Sequence, residues 1–139
     1  MSKVVVDASI ALRWVLRDEK EAHVDAVLEN WAATLTEMLA PPLFPAEITN
    51  ALYLAVRRNR LNLEEADLAL RTIMLLGVKV AEPSGLYFRS LELAANYSMT
   101  NAYDAQYVAL AEVEDCELWT ADERLAASMR PLPSWVRLV

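Results

Sequence analysis

One cysteine, one histidine and two glycines in 139 residues exclude a good deal before anything is assigned. Cys116 alone cannot close an internal disulfide, and with His23 as the one histidine no Cys/His zinc site can be assembled. Gly77 and Gly85 are too few to write a Walker loop or a dinucleotide-binding fingerprint. Apolar stretches are broken by charge or proline well before the roughly 18 residues that a membrane span requires. The N-terminus runs straight into Val4-Val5-Val6-Asp7, so neither a signal peptide nor a membrane helix is expected, and a reduced, cytoplasmic setting fits. Cations are scarce as well. Thirteen Lys and Arg face twenty Asp and Glu, and the formal charge of −7 argues against a generic binder of phosphate backbones. It does not exclude a nuclease whose acids hold divalent cations. The one dense basic cluster, Arg57, Arg58 and Arg60, reads as a complement to the C-terminal dipole of a helix.

What is present is apolar material: 55% of the chain, enough for one sizeable core and too little length for two ordinary domains, so residues 1–139 are read as a single domain. Lys3 to Val6 is a β-branched run of the kind found in a buried parallel strand, and is expected to be the first and central one. Residues Ile10 to Leu16 suggest a short helix and Glu21 to Leu35 a second. Met38 to Ala40 forms a brief strand before Pro41-Pro42, and Pro45 suits the first turn of a helix reaching about Asn59. Leu63 to Leu76 is a further helix closed by Gly77. Val78 to Ala81 follows as a strand. Ser84 is expected to cap a helix through about Tyr97, and Asn101 one through about Glu114. Glu117 to Thr120, a short helix from Asp122 and a last strand at Val136 to Val139 complete the chain. Strands alternating with helices predict a three-layer α/β/α sandwich on a mostly parallel sheet of four to five strands.

In such a sheet every strand's C-terminal end and every helix's N-terminal end lie on one edge, where ligands bind. Asp7 ends the first strand, Glu47 lies just after Pro45, Asp104 just after Asn101, and Asp122 directly behind the fourth strand. Topology therefore brings four carboxylates to one rim. Each has a plain alternative: Asp7 and Asp122 as N-caps, Glu47 as a first-turn acid matched to the helix dipole, Asn101 and Asp104 as a capping box. Together they repel, and keeping them ionised calls for a cation or strong donors. Oxygen-only ligands suit Mg²⁺ or Mn²⁺, and phosphodiester hydrolysis is the chemistry such a site performs. Asp7, Asp104 and Asp122 are read as ligands, with Glu47 binding metal or orienting the attacking water. Ser9 and Thr120 stand close enough to support a carboxylate or a phosphate, or to cap helices. His23 is given no catalytic role. Trp14, Trp31, Trp119 and Trp135 are read as core rather than base-stacking platforms, while Tyr103 and Tyr107 stay open between the two.

The segments Val5-Val6-Asp7-Ala8-Ser9, Pro45-Ala46-Glu47-Ile48-Thr49-Asn50-Ala51-Leu52, Tyr103-Asp104-Ala105-Gln106-Tyr107-Val108-Ala109-Leu110-Ala111 and Trp119-Thr120-Ala121-Asp122 together resemble the PIN-domain family, and within it the VapC-type toxins. The resemblance covers essentially the whole chain in order. It implies an α/β/α sandwich, Mg²⁺- or Mn²⁺-dependent endoribonuclease activity on RNA, a homodimer, and inhibition by a small antitoxin whose tail enters the active site. The family's acidic quartet falls on Asp7, Glu47, Asp104 and Asp122, and its hydroxyl or amide after the first acid on Ser9. Many relatives carry a further acid or asparagine a few residues beyond the last acid, whereas Glu123 and Arg124 follow at once here.

Other readings compete. An aspartate-nucleophile phosphatase or a receiver module needs paired acids at the first strand and a late lysine, but Ser9 occupies the place of the second acid and the last lysine is Lys79. A PIN-like fold that binds RNA or protein without turnover, and a housekeeping RNA-processing nuclease, are the remaining alternatives.

Overall fold

The computed structural model describes residues 2–16 and 22–139, so Glu21, at the expected start of the second helix, lies outside the described residues. Strand β1 spans Lys3–Val6 and is followed by α1 (Ala8–Val15), α2 (Ala22–Ala33) and β2 (Glu37–Ala40). Helices α3 (Phe44–Arg57) and α4 (Leu63–Leu75) lead to the short β3 (Lys79–Val80). Helices α5 (Leu86–Asn96) and α6 (Ala105–Glu114) lead to β4 (Glu117–Thr120), then α7 (Glu123–Ser128) and β5 (Val136–Leu138). The five strands pair in parallel throughout, in the order β3-β2-β1-β4-β5.

β1 takes the centre because it can be buried on both faces: Val4, Val5 and Val6 are each at most 2% exposed. Its register sets Val4 beside Met38 on one side and beside Glu117 on the other. Right-handed crossovers place α1 to α4 over one face, as the chain steps from β1 to β2 to β3, and α5 to α7 over the other, as it returns through β4 to β5. The packing agrees: α1 lies on α2, α3 and α4, whereas α6 lies on α5, β1 and β4. Helix α6 is buried almost all round, from Ala105 through Ala111, as a helix does when enclosed between sheet and neighbour. The direction of winding reverses at the junction of β1 and β4. That junction is where a crevice opens at the carboxyl edge.

Two helix starts differ from expectation. Ser84 does not cap α5; Gly85 holds that position at φ 82°, a left-handed conformation that favours glycine, and makes no side-chain cap bond. Asn101 does not head α6 either. Its side chain accepts from the Tyr103 N–H at 3.0 Å, closing a local turn, and the helix proper begins at Ala105. Gly77 follows α4 at φ 84°, as expected of a helix terminator.

Candidate active site

Asp7 leaves β1 and occupies the N-cap of α1, yet its side chain makes no cap bond. It is 5% exposed, and its carboxylate is committed elsewhere. Thr120, the last residue of β4, donates its hydroxyl to Asp7 Oδ2 at 2.7 Å, and Ser9 donates to the same oxygen at 2.9 Å. Both hydroxyl oxygens in turn accept backbone protons, Ser9 from Ala121 and Thr120 from Asp122, each at 2.9 Å. A closed set of bonds thus fastens the ends of the two central strands to each other. Both donors favour the ionised form of Asp7 and both act on Oδ2, so Oδ1 is the oxygen they leave unengaged.

The other three acids arrive on helix starts. Glu47 is in the first turn of α3, with Pro45 beside it in that turn, and accepts the Tyr107 hydroxyl at 2.5 Å. Asp104 precedes α6 in helical conformation, its side chain free of any cap bond. Asp122 does cap: its Oδ1 accepts from the Arg124 and Leu125 N–H groups at 2.9 and 3.2 Å. Of the plain alternatives raised by the sequence, capping holds for Asp122 and not for Asp7 or Asp104, while Glu47 does stand in the first turn of its helix; the Asp122 cap does not use Oδ2.

The four acids feel one another. Burial pushes the Asp7 carboxyl above its ordinary range, offset by the Thr120 and Ser9 hydroxyls, with Asp104 and Asp122 raising it further. Glu47 is raised to about 7 in all: burial is the main cause and Asp7, Asp104 and Asp122 add to it, against the Tyr107 bond, which lowers it. Asp104 is raised by burial and by Asp122, and lowered by the Arg124 guanidinium. Such a set is short of positive charge. Among the described residues no three acids draw close enough to enclose an ion by themselves. A hard cation does not need that: Mg²⁺ retains several waters and is held by one or two carboxylates, so the oxygen-only donors on this rim suit it.

All six residues singled out in the sequence, Asp7, Ser9, Glu47, Asp104, Thr120 and Asp122, stand at the carboxyl edge of the sheet, linked by hydrogen bonds or by mutual repulsion. Two more belong with them. Tyr107 is fully buried against Glu47. Arg124, its side chain 79% exposed, brings Nη2 to 3.8 Å from Asp122 Oδ2. The signal for Tyr107 was its place one helical turn beyond Asp104; Arg124 had none beyond adjacency to Asp122. His23 is exposed on α2, and Tyr103 is 66% exposed. The tryptophans Trp14, Trp31 and Trp119 pack edge to face, with centroids 6.1 and 5.3 Å apart, in agreement with a packing role.

The family model "PIN domain" matches residues 4–128. Ribonuclease VapC9 of Mycobacterium tuberculosis is 38% identical over 123 residues, 88% of each chain. The crystal structure of PAE2754 from Pyrobaculum aerophilum superposes with a TM-score of 0.70 at 25% identity, covering 99% of this chain and 84% of that one. VapBC2 from Rickettsia felis, bound to a DNA fragment from its promoter, shares the fold with a TM-score of 0.68 at 14% identity, covering 99% and 97%.

Proposed function

The chain belongs to the PIN-domain family, and from that premise we propose that it is a divalent-metal-dependent endoribonuclease of the VapC type, the toxin of a toxin–antitoxin pair. The observation that supports this most directly is the state of the acids. Three of the four are not spent on capping, and all of them lie within electrostatic reach of their neighbours at the switch point of the sheet. The likeness to named VapC ribonucleases selects RNA hydrolysis among the reactions such a rim supports.

In this reading Asp7, Asp104 and Asp122 would hold Mg²⁺ or Mn²⁺, directly or through the waters it retains, and Glu47 would either join them or orient the attacking water. When bound, the cation supplies Lewis acidity, lowering the pKa of water and neutralising charge that develops on the phosphate. The protein's own part is positional. Ser9 and Thr120 fix the Asp7 carboxylate through Oδ2 and so aim Oδ1. Asp122 is fixed by its cap bonds, which leave Oδ2 for a ligand. Glu47, with Oε1 taken by Tyr107, has Oε2 left for the cation or its water. Arg124 is the cation placed to meet a substrate phosphate beside the acids.

The partners that go with this reading are RNA as substrate, a small cognate antitoxin and a second copy of the chain. They rest on the family resemblance. The whole of residues 1–139 acts as one domain in it, and the setting is cytoplasmic; no described helix is long and apolar enough to cross a membrane. Purified protein incubated with a mixed RNA pool and Mn²⁺, beside Asp7→Asn and Asp104→Asn, tests the reading. Wild type is expected to cleave, and each variant to lose at least about 100-fold in rate, in line with the loss of a group that stabilises the transition state. Equal cleavage by all three, or none by any, would sink it.

A further inference from the structure

Tyr107 is the largest side chain in the described structure with no solvent exposure, and a buried phenol needs a partner for its hydroxyl. The partner it finds is not incidental to the site. The phenol donates to Glu47 Oε1 at 2.5 Å. Tyr107 belongs to α6, Glu47 to α3, and these helices cover opposite faces of the sheet. One hydroxyl therefore reaches from one helical layer to the other across the carboxyl edge.

Packing does not require this arrangement, because a phenylalanine fills the same space without a hydroxyl. Glu47, by contrast, has a reason to need restraint: it is half-buried and repelled by Asp7, Asp104 and Asp122. A short bond from a rigid aromatic opposes that repulsion. We propose that Tyr107 is a positioning residue: it fixes the Glu47 carboxylate on the rim so that a divalent cation meets a ligand already in place. The role rests on the metal-dependent reading, while the bond itself belongs to the metal-free protein and is open to separate observation.

The test combines proton NMR of the metal-free protein with calorimetric titration of Mn²⁺ into wild type, Tyr107→Phe, Glu47→Ala and the double variant, melting temperatures being recorded alongside. A slowly exchanging hydroxyl proton far downfield is expected in wild type and in neither single variant. Tyr107→Phe is expected to weaken Mn²⁺ binding about tenfold or more, as loss of a partner behind a ligand does, and to weaken it no further once Glu47 is gone. Should Tyr107→Phe fail to fold, Glu47→Asp withdraws the carboxylate from the phenol and takes its place with the same expectation. Normal Mn²⁺ affinity in Tyr107→Phe, or losses that simply add in the double variant, overturns the positioning role alone. A wild type that shows the hydroxyl signal and binds no Mn²⁺ overturns the nuclease reading together with it.

Discussion

Glu47 gives the site a pH signature that can be read without substrate. Its carboxyl rises from an ordinary 4.5 to about 7 on folding, with burial as the main cause. Between those values the folded chain holds more protons than the unfolded one, so stability falls as pH rises through the window. Asp7 and Asp104 are raised too, and act with the same sign. Metal-free protein is therefore expected to melt at a higher temperature near pH 5 than near about pH 7.5, and Glu47→Gln to flatten that slope. Added Mn²⁺ is expected to raise the melting temperature most near neutrality, where the carboxylates are ionised, and little near pH 5. A flat metal-free profile, or one unchanged by Glu47→Gln, would count against the electrostatic picture. At this scale the sequence reveals residue types and not their bonds. Asp7, Glu47, Asp104 and Asp122 could be placed on one rim, but the Tyr107–Glu47 bond joins positions sixty residues apart, and no local pattern announces it.

Among the elements, α7 is the one whose stability and chemistry share a residue. It has six residues, and Asp122 satisfies two of its opening N–H groups. Asparagine at that position can still accept those bonds, whereas alanine cannot. Asp122→Asn is thus expected to keep the stability of wild type and lose cleavage. Asp122→Ala should lose both, the stability by about 1 kcal/mol in chemical denaturation. Equal stability of the two would mean that the cap does not hold α7. The elements also differ in how plainly the sequence states them. β1 and β4 have the limits expected of them, because each is an apolar run closed by a polar residue, β1 buried on both faces and β4 on one. The starts of α5 and α6 did not, since one turns on a left-handed glycine at position 85 and the other on the Asn101 turn. Both are backbone conformations that compete with capping by a nearby polar side chain. The displacement at α6 has a chemical result: Asn101 serves the turn, so the Asp104 carboxylate is left for the rim.

For the molecule as a whole, a charge of −7 and a polyanionic substrate are in tension. Among the described residues, Arg71, Arg89 and Arg137 are paired with acids outside the site. RNA association should then release few counterions. The dependence of log kcat/KM on log KCl is expected to be shallow, with a slope of about −1 to −2, and Arg124→Ala should reduce its magnitude by about one. A slope of about −6 would reveal a basic surface not accounted for. The architecture itself was largely open to inference, because five strand-like runs separated by helices admit few topologies once crossovers are right-handed. The all-parallel pairing carries one more consequence. Asp7 depends on Thr120, which lies 113 residues further along the chain. During synthesis the first half of the protein displays Asp7 and Glu47 without the strand that fastens the one or the helix that holds the other, so a truncated or stalled product has half of an active site and no means of closing it. The potential harm of the finished enzyme is thereby tied to near-completion of its own translation.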